Sequence, residues 1–194
     1  MKKIIYLERI GDIDPRILIV LQKNLKWFFK NNNIKINILP EKLPLLESEY
    51  EPYRRQYDAL KVKTRLIKHV NKKNYYRILG VMDVDISSRL LKKKHPNFIF
   101  GIADMSKNKF FGRALISVIR LREKFYRRSE NLAQFELRVL KEAIHELGHT
   151  FGLKHCENLC VMRFSNTLDD IDKKPPNYCE GCLKKLIDFL DDFD

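Results

Sequence analysis

Residues 145–155 read His-Glu-Leu-Gly-His-Thr-Phe-Gly-Leu-Lys-His, an HExxHxxGxxH pattern. Two histidines four apart on a helix leave the same face one turn apart, so His145 and His149 can reach one metal ion. Gly152 permits a backbone turn that other residues resist, and that turn brings His155 round as a third ligand. Three protein ligands leave the fourth corner of a tetrahedral zinc open for water, which marks a catalytic site. Glu146, beside the first ligand, is then the general base of a hydrolysis. The competing reading is a surface helix whose solvated histidines happen to be well spaced. HExxH alone arises by accident, but the added glycine and third histidine at fixed offsets make accident a poor explanation.

The four cysteines of the chain follow at once: Cys156 and Cys160 with three residues between them, then Cys179 and Cys182 as a C-x-x-C. Four thiolates around one zinc make a closed, structural site. Two alternatives stay open. A disulfide framework suits a secreted chain, and nothing here announces secretion. A redox C-x-x-C needs a thioredoxin-like βαβ setting, which this segment lacks. Together the two clusters predict two zinc ions, one catalytic and one structural.

Met162 stands two residues after Cys160. A methionine downstream of HExxHxxGxxH marks the metzincin peptidases, where a Met-containing turn lies beneath the metal; its bland alternative is an ordinary core residue. HExxHxxGxxHC, then C-x-M, then a distal C-x-x-C, resembles the archaemetzincins, a family of zinc peptidases. The spacings between the first two cysteines and between Met162 and Cys179 are three and sixteen residues, each one shorter than the family pattern. Residues 4–14, 79–85, 98–103 and 119–126 resemble further family segments, so the likeness spans most of the chain and is densest in the last fifty residues. The resemblance implies a zinc-dependent metallopeptidase with peptide substrates. Some metzincins place a tyrosine two residues after the methionine; Phe164 stands there and cannot donate a hydrogen bond. Tyr178 is a candidate oxyanion donor or a packing residue.

Certain elements must hold these residues in place. Lys3–Leu7 reads as a first strand, and Asp14 and Pro15 open a helix running to Lys30 with Leu18, Leu21, Leu25, Phe28 and Phe29 on one face. Ile34–Leu39 alternates as a strand, with Pro40 and Pro44 bracketing a loop. Tyr57–Val70 reads as a helix; Ile78–Ile86, Phe98–Ala103 and Ala114–Leu121 read as strands. Asn131 and Gln134 have capping-box spacing ahead of the histidine helix, whose apolar face includes Leu132, Phe135, Val139, Ala143 and Leu147. A last helix spans Leu183–Phe189. This order predicts an α/β fold: a single compact metzincin-like domain, a mixed twisted sheet with packed helices, and a small zinc-stabilised C-terminal subdomain. The division is 1–151 for the sheet and histidine helix, and 152–194 for the third histidine, the methionine turn and the cysteines.

A chain of 194 residues suits one well-buried domain. Its apolar runs are too short to cross a bilayer or to form a signal core, so a cytoplasmic location is expected. The net charge of +13 is spread along the chain without a basic stripe carrying interleaved aromatics. A solvated basic surface is therefore favoured over nucleic-acid binding. A zinc-stabilised nucleic-acid binder and a non-catalytic zinc scaffold remain the alternatives. His69 and His95 read as surface or packing residues, and Asp83 and Asp85 as turn or packing carboxylates in preference to partners of a ligand histidine. Oligomeric state leaves no signal.

Overall fold

The computed structural model describes residues 3–69, 77–88, 98–105 and 110–191. An interior strand of its main sheet is β1 (Ile4–Ile10), whose side chains serve two apolar clusters: Ile5 and Leu7 join one, Ile10 the other. That division is the period-two signature of a strand covered on both faces. β2 (Lys35–Leu43) and β5 (Arg77–Met82) flank β1 in parallel, and β8 (Gly112–Ser117) follows β5 in parallel. β7 (Gly101–Ala103) ends the row antiparallel to β8. The order β2-β1-β5-β8-β7 makes the mixed sheet. A second sheet, β3-β4-β6, is built from Tyr50–Glu51, Gln56–Asp58 and Ile86–Ser87.

α1 (Pro15–Phe28) begins where Asp14 accepts the Arg16 N–H at 2.9 Å and Pro15 takes the first turn. Its Leu18, Leu21 and Leu25 bury against one face of the sheet, which α3 (Leu132–Thr150) shares. α2 (Ala59–His69) covers the other face with Ala59, Val62 and Leu66. Two short helices, α4 (Leu168–Lys173) and α5 (Glu180–Asp191), complete the C-terminal part. The α/β sandwich is thus the one the element order predicts.

Several details differ from expectation. β2 runs through Pro40 instead of stopping before it; it is an edge strand, and its register against β1 shifts between Leu7 and Arg9, where the chain absorbs a residue lacking an N–H. β5 ends at Met82, and β8 passes into a 3₁₀ turn at Ile119–Leu121. Asn131 does cap α3, accepting the Gln134 N–H at 3.0 Å, but the Gln134 side chain bonds Asp172 instead of reaching back. The basic residues are not all at the surface: Lys3, Lys63, Arg77, Arg138, Lys141 and Lys174 are buried. Asp83 and Asp85 pair with Arg122 and Arg120, in keeping with the packing role expected of them. His95 and the His69 side chain lie outside the described residues, as do two short runs of lysine, Lys72-Lys73 and Lys92-Lys93-Lys94. Among the described residues, no helix is long and apolar enough to cross a membrane.

Candidate active site

Helix α3 presents Glu142, His145, Glu146 and His149 along one side of a cleft of about 540 Å³. The opposite wall is β7 with the residues leading into it, among them Phe98, Phe100 and Ile102. Spacings of three and four place these α3 side chains one above another, as the sequence predicts.

The helix ends in a turn that does two tasks. Gly152 adopts φ +81°, and the N–H groups of Gly152 and Leu153 return to the carbonyls of His149 and Gly148 at 2.9 and 3.0 Å. This is the Schellman arrangement, which favours glycine at the left-handed position. It also aims the Leu153 carbonyl at His149 Nδ1, 2.8 Å away. His145 Nδ1 lies 2.8 Å from the carbonyl of Val161. A carbonyl only accepts, so both rings carry their proton on Nδ1 and turn an Nε2 lone pair inward.

Those two Nε2 atoms are 3.2 Å apart. Neither carries a proton, so no hydrogen bond joins them. Two nitrogens on one tetrahedral zinc stand about 3.3 Å apart, given the usual Zn–N length. The His155 ring is 4.9 Å from that of His149 and 5.4 Å from that of His145, centre to centre. Ligand atoms of all three lie within 4.8 Å of one another. The donor set therefore fits one ion.

Burial fixes the protonation states. Desolvation, then the Lys174 charge, holds His145 well below the ordinary imidazole range; desolvation brings His149 down to about 4 and lowers His155 too. Neutral imidazoles are the metal-binding form. Glu146 is pushed well above the usual carboxylate range by burial and then by the Glu142 charge, against Lys174 and Lys63. Its side chain packs directly on Gly101 of β7. Sequence reasoning missed Gly101, although a glycine inside a strand does signal a close approach.

The four cysteines are free thiols whose sulfurs also lie within 4.8 Å of one another. Cys156 Sγ and Cys179 Sγ are 3.7 Å apart, whereas a disulfide requires about 2.05 Å. Two thiolates on tetrahedral zinc stand about 3.8 Å apart. Cys160 Sγ accepts N–H groups from Met162 and Cys179 at 3.4 and 3.3 Å, bonds that favour a thiolate. N–H donation by Cys182 brings Cys179 down to about 6, while burial pushes Cys182 well up. The geometry therefore fits a closed four-sulfur site.

The clusters are joined. Cys156 directly follows His155, and its N–H bonds the Met162 carbonyl at 3.1 Å. Met162 is fully buried, its sulfur against Gly148 between the two helical histidines. Phe164 packs on His155 with ring centres 4.8 Å apart. Tyr178 donates its hydroxyl to the Ile144 carbonyl at 3.0 Å and does not line the cleft, so it is a packing residue rather than an oxyanion donor.

Comparison with known proteins agrees with this geometry. Residues 13–188 match the family described as Peptidase family M54. The chain is 38% identical over 195 residues to the archaemetzincin of Pyrococcus furiosus, covering 98% of this chain and 95% of that one. It is similar to the crystal structure of the Methanopyrus kandleri archaemetzincin, with TM-score 0.78, 29% identity, and coverage of 97% and 96%. It also resembles the Archaeoglobus fulgidus archaemetzincin, crystallised with malonate, with TM-score 0.74, 32% identity, and coverage of 94% and 99%. The chain therefore belongs to peptidase family M54 and is a zinc metallopeptidase.

Proposed function

We propose that His145, His149 and His155 hold the catalytic zinc, and that Cys156, Cys160, Cys179 and Cys182 hold a second, structural one. The observation that carries the first assignment is the pair of unprotonated Nε2 atoms 3.2 Å apart, a contact that only a shared cation makes favourable. Zinc in that position supplies Lewis acidity, which makes water a nucleophile near neutral pH. Glu146 acts as general base: its carboxylate takes the proton of the attacking water and delivers it to the leaving amine nitrogen. Burial suits this role, because a carboxylate whose proton affinity is raised is a better base.

The substrate is an extended peptide lying along β7. One edge of β7 pairs with β8, and among the described residues no strand pairs with its other edge, which can receive a chain by backbone pairing above the histidines. The apolar wall formed by Phe98, Phe100 and Ile102 favours apolar side chains there. Met162 serves as the metzincin-type turn beneath the metal. The segment 152–194 acts as the zinc-stabilised subdomain, and a cytoplasmic location keeps its thiols reduced.

The test is zinc-loaded Glu146→Ala beside wild type on a peptide library. Hydrolysis should fall by 10²-fold or more while the metal content stays at two zinc per chain. Retained hydrolysis would remove Glu146 from its role, and a single zinc would remove one of the two sites.

A further inference from the structure

Glu142 lines the catalytic cleft one helical turn before His145 and Glu146, and only 4% of it is exposed. Its Oε2 is buried and accepts no hydrogen bond among the described residues. Beside it sits Lys174, 2% exposed, whose Nζ lies 3.6 Å from that oxygen and, among the described residues, donates no hydrogen bond either. Other shielded pairs in this protein close to contact: Arg138 meets Asp172 at 2.6 Å and Lys63 meets Asp104 at 2.8 Å. Burying a charged pair is costly unless hydrogen bonds complete it, so an open pair in a cleft wall needs an explanation. Ser165 lines the same cleft, and its hydroxyl is buried without a partner among the described residues.

We propose that Glu142 is a substrate-recognising carboxylate. It accepts hydrogen bonds from a cationic nitrogen of the bound peptide, either the α-ammonium or a lysine or arginine head group. Lys174 is its fixed counter-ion: near enough to compensate the charge, too far to occupy the carboxylate's lone pairs. One turn of helix is about 5.4 Å, which places the cation close to the scissile bond. A charge-assisted bond of about 2.8 Å to a peptide nitrogen would complete the open pair. Ser165 then offers a neutral partner to the same group or its backbone. This inference rests on the cleft being the peptide site, and its test separates the two.

The test measures binding, so that it does not depend on turnover. Zinc-loaded Glu146→Ala is titrated with fluorescent hexapeptides of one alanine–phenylalanine scaffold. The set has a free or an acetylated amino terminus, and lysine or norleucine at each position in turn. The expected result is at least tenfold tighter binding of the charged member of one pair. A gap on acetylation identifies the α-ammonium; a gap on norleucine replacement identifies the side chain. Adding Glu142→Gln should remove that gap. Equal affinities across every pair, no binding of any charged peptide, or a gap that survives Glu142→Gln overturns the proposal. Hydrolysis of neutral and charged peptides alike by wild type would overturn it and leave the peptidase reading standing.

Discussion

A methyl group on Gly101 would stand 2.6 Å from Cγ of Glu146 and 2.7 Å from its Oε1. The strand backbone thus forms the wall against which the carboxylate is set. Gly101→Ala forces a shift of the Glu146 side chain. A displacement of about 1 Å at a reacting group costs on the order of 10²-fold in rate. We expect kcat/KM to fall by that order, with zinc content and circular dichroism unchanged. Full activity in the variant would mean that the placement of Glu146 against β7 is immaterial.

Removing one sulfur should open the closed site. Cys179→Ser takes away a proposed ligand and the sulfur that accepts the Asn158 side-chain N–H at 3.7 Å. We expect zinc to drop from two ions per chain to one by elemental analysis. Stability should fall by about 3 kcal/mol or more. For a chain of this size that lowers Tm by roughly 10 °C.

Glu8 gives a pH signature far from either cluster. It is 3% exposed in β1, and burial, with the Glu41 charge, raises it to about 7 against a partial offset from Arg9. Between pH 4.5 and 7 the unfolded chain has lost this proton while the folded chain keeps it. Folding therefore takes up a proton. The Glu8 contribution is most favourable below pH 4.5, declines as pH rises, and levels off above 7. The decline is on the order of 3 kcal/mol. Urea denaturation of Glu8→Gln should show greater stability than wild type at pH 8 and a flatter slope across the interval. A steeper slope would contradict the assignment.

Arg138 ties the histidine helix to α4 and to the 3₁₀ turn before α3. Its guanidinium bonds Asp172 at 2.6 Å, Glu123 at 2.7 Å and the Leu121 carbonyl at 3.1 Å. Arg138→Met removes the shared cation and leaves the two carboxylates facing each other. The expected loss is about 3 kcal/mol, read by denaturant titration. Restoring stability with Glu123→Gln in the same chain would locate the loss in that network.

The histidine cluster was legible because its code is local: two histidines four apart on one helix, a glycine three residues on, and a third histidine three after that. The four-sulfur site was legible for the same reason, since few arrangements of two cysteine pairs make chemical sense. Gly101 was hidden because its partner is 45 positions away in the chain (146 − 101) and only the sheet brings them together. A separation of 32 positions (174 − 142) likewise hid the pairing of Glu142 with Lys174. The second sheet escaped because strands of two or three residues carry no period. α4 is six residues long, too short for a period, yet Thr167 and Asp170 form a reciprocal cap that could have announced it. Pro40 misled because proline is read as a stop, whereas at a bulged sheet edge its missing donor is not required.

The carbonyl that orients His145 belongs to Val161, whose own N–H is held by Asn177 at 2.9 Å. During synthesis, therefore, the HExxH segment emerges from the ribosome without its scaffold. The imidazoles cannot settle until residues beyond 177, with their pair of sulfurs, have cleared the exit tunnel. The ring of His145 is thus set by a segment made 32 residues after it (177 − 145).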